Sequence, residues 1–235
     1  MTATATGTDS RQIPGVGLLE YEEQPYRRYW LTPEGGKRRR RLPSVTTILR
    51  ESWAKPELVA WAARTGDQID TVREAAFARG KAVHRFIETY MATGELLPTG
   101  EFEPTYRPFI EGAAAFLFEY DPQPEAVEQL VCHPELGYAG RFDLRARVHG
   151  HSAILDFKTG SEARVYAEAH VQTFAYALAD ERCGAPLAEQ RLIVGIGEDG
   201  SHRVVQGGDA TELWNAVLAF DKARRGFMRS LEDGR

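Results

Sequence analysis

The sequence predicts an α/β domain in which helices flank a central β-sheet. Three observations carry that prediction: a two-residue apolar alternation over Tyr138 to Gly160 (YAGRFDLRARVHGHSAILDFKTG), a second alternating pair over Arg191 to Gln206, and long stretches of helical apolar spacing around them. The 235 residues suffice for one sizeable core, and 43% hydrophobic with 27% charged residues leave no case for general disorder.

In chain order, residues 1–16 are small and polar and are expected to be flexible, and residues 17–235 to form one domain. Within it, 17–42 reads as short strands separated by Gln24-Pro25 and by Pro33-Glu34-Gly35-Gly36, both turn signals. Lys37, Arg38, Arg39, Arg40 and Arg41 form the densest basic run; a solvated hairpin edge and a phosphate-contacting patch are both open readings. Residues 43–125 read as helical. Ser44 or a neighbouring threonine caps a short helix, and a second is expected from about Pro56 through Trp61. A longer one runs from about Gln68 to Met91, with Val72, Ala75, Ala76, Val83, Phe86, Ile87 and Tyr90 as its apolar stripe. Gly80, His84 and Glu88 recur every four residues and so share one side of it. A glycine inside a helix costs about 1 kcal/mol, which points to a close approach at Gly80. After a loop over 94–104, TYRPFIEGAAAFLFEY is another helix.

Residues 126–235 hold the sheet, beginning at about Glu128. In its central hairpin Phe142, Leu144, Ala146 and Val148 fall on one face, and Arg141, Asp143, Arg145 and Arg147 on the other, a charged cleft wall. On the second strand Ile154, Asp156 and Lys158 point together. If His149-Gly150 is a two-residue turn, Val148 pairs with His151, which places Asp143 opposite Asp156 and Arg141 opposite Lys158. Like charges at that range are destabilising, and a divalent cation between the carboxylates would convert repulsion into coordination. Beyond Gly160, residues 165–181 read as a helix on which Gln172 and Tyr176 reach the same place. A hairpin over 191–206 turns at Glu198-Asp199-Gly200. A closing helix over about 211–231 is expected to pack Leu213, Trp214, Val217, Phe220 and Phe227 inward.

Composition excludes several classes. Cys132 and Cys183 are too few for a disulfide framework or a four-cysteine iron–sulfur cluster and read as buried small apolar residues. No apolar run approaches the ~18 residues of a membrane span, and the start, MTATATGTDSRQ, has no signal-peptide pattern, so the expected compartment is the cytoplasm. A formal charge of −5 leaves nucleic-acid binding to a local basic patch. Only five lysines occur, and Asp156-Phe157-Lys158 is the one place where an acidic residue stands two positions before a lysine.

Five blocks, in order, resemble the PD-(D/E)xK nuclease superfamily, in the branch of the RecB and AddAB nuclease domains, and most of all the mitochondrial genome maintenance and phage-type exonucleases. They are LPSVTTIL at 42–49, GKAVHRFIE at 80–88, YAGRFDL at 138–144, ILDFKTG at 154–160 and QTFAYA at 172–177. The resemblance implies a restriction-endonuclease-like core with a mixed central sheet. It implies His84, Asp143 and Asp156 as metal ligands for Mg²⁺ or Mn²⁺, Lys158 as the residue that orients or deprotonates the attacking water, Gln172 and Tyr176 lining the site against the scissile phosphate or a neighbouring nucleotide, and Glu88 behind the ligands. Ser44, Thr46, Arg141 and Arg145, with the basic run, are the expected nucleic-acid contacts. No iron–sulfur cluster carries over, because its cysteines are missing. The implied substrate is DNA with single-stranded ends, cut in replication, repair or recombination, alone or beside other proteins of those processes. An endonuclease with the same site, or a non-cleaving nuclease-fold subunit, is the alternative, and residues 56–80 are a candidate arch over the strand.

Overall fold

Among the described residues, helical spacing becomes five α-helices: α1 (Val45–Ser52), α2 (Ile69–Thr93), α3 (Arg107–Tyr120), α4 (Ala167–Arg182) and α5 (Thr211–Asp233). The computed structural model describes residues 8–23, 27–53 and 66–233. The helix expected at Pro56 to Trp61, and with it much of the candidate arch, lies outside them.

Alternation becomes two sheets among the described residues. The first is an antiparallel meander of β1 (Thr8–Ile13), β2 (Gly17–Glu22), β3 (Arg28–Pro33) and β4 (Arg40–Leu42). The stretch expected to be flexible therefore contains β1, which pairs with β2 along its length and buries Ile13 fully. The second is the central mixed sheet: β5 (Gln123–His133), β6 (Tyr138–Val148), β7 (His151–Gly160), β8 (Gln190–Gly197) and β9 (His202–Gln206), side by side in that order. Only β7 and β8 run parallel, and a parallel pair needs a crossover, which α4 supplies. His149 and Gly150 both take positive φ, 49° and 84°, as a two-residue turn matching the strand twist requires, and Val148 pairs with His151.

Both faces of the central sheet are covered. One core, over Leu144, Ala146, Leu155 and Phe157, is closed by Val83, Phe86 and Ile87 of α2 and by Phe109, Ile110 and Phe116 of α3. The other, over Tyr138, Phe142 and Ile154, is closed by α1, α4, α5 and the first sheet. The two sheets are stitched where Ala139 N–H donates to Pro43 carbonyl at 3.0 Å. Just after it, Ser44 Oγ caps α1 by accepting from Thr47 N–H at 3.0 Å. Ser44→Ala should therefore cost about 1 kcal/mol, read as a lower urea midpoint at unchanged m-value.

Two expected packing faces turn outward. On α5, Trp214 and Val217 are buried, but Leu213, Phe220 and Phe227 are 44%, 55% and 64% exposed. The inward row is set instead by Trp214, Val217 and the buried Asp221, whose carboxylate meets Arg224 and Arg225 one turn on. On α2, Val72 is 40% exposed and Ala75 is exposed, and the buried row begins only at Val83. Gly80 shows no close approach: a Cβ there would meet only Thr159 Oγ1, at 3.9 Å.

Candidate active site

The alternation of β6 fails at Asp143, and the site is built around that failure. Tyr138 donates its hydroxyl proton to Ala175 carbonyl on α4, a Cβ on Gly140 would fall 2.4 Å from the Tyr176 ring, and Phe142 packs in the same core. Three residues later Arg145 reaches Asp180 of that same helix. The strand has changed face between Phe142 and Arg145, so Phe142 does not share a side with Leu144, Ala146 and Val148. The pairing of β6 with β7 runs outward from the turn only to Leu144 and Leu155. One step further, where Asp143 was expected to oppose Asp156 backbone to backbone, Asp143 Oδ2 accepts from Phe157 N–H at 2.8 Å. On the other side the flanking pairs Val127–Leu144 and Gln129–Phe142 set Glu128 across from Asp143, and Glu128 sits in the left-handed region with φ 47°.

The break collects three ligand-type side chains. His84 Nδ1 lies 3.5 Å from Glu128 Oε1 and 3.6 Å from Asp143 Oδ1, and one donor atom from each residue lies within 4.8 Å of the others. The sequence reading expected His84 to meet Asp143 and Asp156. His84 and Asp143 do meet, Glu128 joins them, and Asp156 is held elsewhere. Its Oδ2 pairs with Lys158 Nζ at 2.6 Å, and its Oδ1 accepts from Gln172 Nε2 at 3.1 Å. Gln172 also donates to the Tyr176 hydroxyl at 3.2 Å, so the i, i+4 pair on α4 converges as expected. Glu128 went unnoticed in the sequence because it belongs to no motif. Its only signal was a carboxylate in the strand next to the hairpin.

The charges are interdependent. Asp143 holds the His84 imidazole protonated, its pKa raised to about 9 against the opposing pull of burial, with Glu128 adding to the rise. Burial pushes Asp156 up to about 6 although Lys158 draws it down. Burial would lower Lys158, but Asp156 and Asp143 outweigh it and the ammonium is favoured. Burial, then Glu128, raises Glu88.

These groups line one groove of about 670 Å³ between α2, α4, the central sheet and the first sheet. Gly80, His84 and Glu88 form one wall and Gln172 and Tyr176 the other, with Ser44 and Thr46 at its edge. Arg141 also lines it, but rather than facing Lys158 it bonds Glu128 Oε2 at 2.8 Å and lies over the Tyr21 ring. At the rim Phe77 is 57% exposed, with Arg27 and Lys81 against its ring at 5.8 and 5.1 Å. Six expected nucleic-acid contacts, Arg145 and the run Lys37 to Arg41, fall away from the groove. Arg145 is 6% exposed and bonded to Asp180, Glu125 and Ser152, a buried structural arginine, because α4 covers the face that the alternation left open. Lys37 to Arg41 lead into and form edge strand β4 outside the groove lining: Arg39 lies on Trp30 and pairs with Glu22, and Arg40 donates to Pro134 carbonyl. The cysteines are buried and in contact, Cys132 N–H donating to Cys183 Sγ at 3.3 Å. No described helix is long and apolar enough to cross a membrane.

Fold and groove together define a mixed α/β protein with a candidate metal centre beside a buried aspartate paired with a partly exposed lysine. No protein-family model matches the chain. It is 28% identical over 134 residues to mitochondrial genome maintenance exonuclease 1 of Mus musculus, a match covering 54% of this chain and 39% of the mouse protein. The chain thus matches well under half the length of that relative. The solved structure titled "Crystal structure of SSO0001" superposes with a TM-score of 0.37 at 16% identity, over 77% of this chain and 83% of that one, too loosely to carry a shared function.

Proposed function

We propose that the chain is a nuclease of the PD-(D/E)xK type that hydrolyses phosphodiester bonds in DNA with Mg²⁺ or Mn²⁺, as an exonuclease on single-stranded ends. The observation that carries this reading is the convergence, in one groove, of an imidazole–carboxylate cluster with an Asp–Lys pair and a Gln–Tyr pair from five separate elements. The similarity to the mouse exonuclease supports it.

The donor set fits a hard divalent ion: carboxylate oxygens are its preferred ligands, and one imidazole is tolerated by Mg²⁺ and suits Mn²⁺. His84 and Asp143 would hold it, together with a further carboxylate. When bound, such an ion neutralises a phosphate oxygen and acidifies a water. The rest is done by side chains. Lys158, kept as an ammonium by Asp156 and Asp143, donates to the attacking water or a phosphate oxygen and holds it in place. Asp156 fixes that ammonium, and Gln172 fixes Asp156. Tyr176, its proton retained by burial, is a hydroxyl donor for the scissile phosphate. Phe77 between two cations offers a face on which a base of a single strand can stack while its backbone meets positive charge.

End-labelled linear single strands, linear duplex, circular single strands and RNA, each with Mg²⁺ or Mn²⁺, test the reading. Metal-dependent degradation of linear single-stranded DNA is expected, with the circle spared. Cleavage of the circle would replace exonuclease by endonuclease, and inertness on every substrate would remove the enzyme altogether.

The protonated His84 gives a pH signature without DNA. Its folded pKa of about 9 lies above its ordinary 6.5, so the stability it contributes is complete below about pH 6.5 and lost as pH rises through about 9. Metal-free protein should melt at a lower temperature at pH 9.5 than at pH 6. A cation competes with that proton, so Mn²⁺ affinity should increase across the same window, measurable by calorimetry.

A further inference from the structure

We propose that Glu128 is a direct ligand of the divalent cation, completing with His84 and Asp143 a set that ties α2 to the paired strands β5 and β6. The identity of the cation rests on the nuclease reading above; the assignment of Glu128 rests on the site itself.

Three features point the same way. First, Glu128 Oε1 faces His84 Nδ1 at 3.5 Å, and Asp143 Oδ1 approaches the same nitrogen at 3.6 Å, so two carboxylates on neighbouring strands are aimed at one point. Carboxylates so placed repel unless a positive charge stands beside them, which the His84 imidazolium supplies in the metal-free chain and a divalent ion would supply in place of its proton. Two carboxylates and a neutral imidazole carry a charge that one divalent ion balances.

Second, Glu128 is oriented by other side chains. Arg141 takes its Oε2 at 2.8 Å and is itself laid on the Tyr21 ring at 4.8 Å, which leaves Oε1 turned to the cluster. Ligands of bound metals are commonly steered in this way by hydrogen bonds from behind. Glu128 also adopts a left-handed backbone conformation, which non-glycine residues avoid, at the step where its strand faces the break in β6.

Third, Asp156 is turned toward Lys158, its Oδ2 lying 2.6 Å from Nζ while Oδ1 accepts from Gln172 Nε2, and it is not part of the three-donor group around His84. Of the three remaining groove carboxylates, Glu23 lies 3.8 Å from Lys81 Nζ and Glu88 stands one turn along α2 from His84, and neither is part of the three-donor group. Glu128 is therefore the acidic residue that joins Asp143 at His84.

The test is Mn²⁺ titration of the full chain without DNA, by calorimetry and by the electron-spin-resonance signal of free Mn²⁺. Wild type, Glu128→Gln, Glu128→Asp and Glu88→Gln are compared, and circular dichroism checks folding. Glu128→Gln should raise the Kd for Mn²⁺ at least about tenfold, and Glu88→Gln less. Folded Glu128→Gln that binds as tightly as wild type, or loses no more than Glu88→Gln, overturns the assignment. Should Glu128→Gln not fold, Glu128→Asp decides. It keeps the charge but withdraws the carboxylate by one methylene, so a weakened Kd upholds the assignment and an unchanged Kd overturns it. Wild type that binds Mn²⁺ yet cuts no nucleic acid would defeat the nuclease reading and leave Glu128 as a ligand. Wild type that cuts DNA while Glu128→Gln binds Mn²⁺ unimpaired would do the reverse.

Discussion

Lys158→Ala should slow cleavage of single-stranded DNA by at least about two orders of magnitude, or roughly 2.7 kcal/mol of transition-state stabilisation. The reason is local. Lys158 is the ammonium paired with Asp156, and no other lysine lines the groove near it; Lys81 stands at the rim against Phe77. Lys158→Arg should not restore the rate, because a planar guanidinium fills the space of a compact ammonium differently and its charge is not a titratable point. The measurement is single-turnover cleavage of an end-labelled strand, beside Mn²⁺ affinity and melting temperature. A positioning role in the reaction requires that the rate collapse while metal binding and folding survive. A variant as fast as wild type would show that the groove is not where bonds are broken.

Arg145→Ala has the largest expected effect on stability. Its guanidinium is shared among Asp180 at 2.6 Å, Glu125 at 2.9 Å and Ser152 at 2.9 Å, and the Asp180 side chain is fully buried. Removing one member of such a pair strands a charge away from water, which costs about 3–5 kcal/mol. At about 2–4 °C per kcal/mol for a chain of this size, the melting temperature should fall by roughly 6–20 °C. Replacing both members, as Arg145→Met with Asp180→Leu, should cost less than the single change, because no uncompensated charge remains. A stable Arg145→Ala protein with weakened DNA binding would return Arg145 to the nucleic-acid surface.

What the sequence disclosed depended on whether a local rule held. The turn at His149-Gly150 was legible because a two-residue hairpin fixes its own register, and Val148 pairs with His151 accordingly. Asp156 and Lys158 pointing together, and Gln172 reaching Tyr176, followed from periods of two and four. The same period of two misplaced Phe142, because nothing in YAGRFDL marks the change of face at Asp143. It also cast Arg145 as a cleft residue, because alternation of apolar and charged residues is ordinarily read as one dry and one wet face. Here a helix covers the second face, and Asp180 gives the arginine a partner from 35 positions away. Glu128 is missing from the sequence account for the same reason: its place beside His84 comes from a strand pairing and a backbone twist. On α5, Phe220 and Phe227 have helical spacing, but spacing does not say which row faces inward, and Trp214 with Asp221 took that side.

The parallel pairing of β7 with β8 sets a timetable for the molecule's own synthesis. In that register Asp156 sits beside Ile193 and Lys158 beside Gly195, and the crossover between them carries Gln172 and Tyr176. A growing chain that has only just released β7 holds His84, Glu128, Asp143 and Asp156, yet the strand bearing Asp156 and Lys158 is still an open edge. Contacts that close such a long loop form late. The groove is thus completed only once α4 and β8 have left the ribosome, and until then the chain carries the chemical groups without the walls that align them.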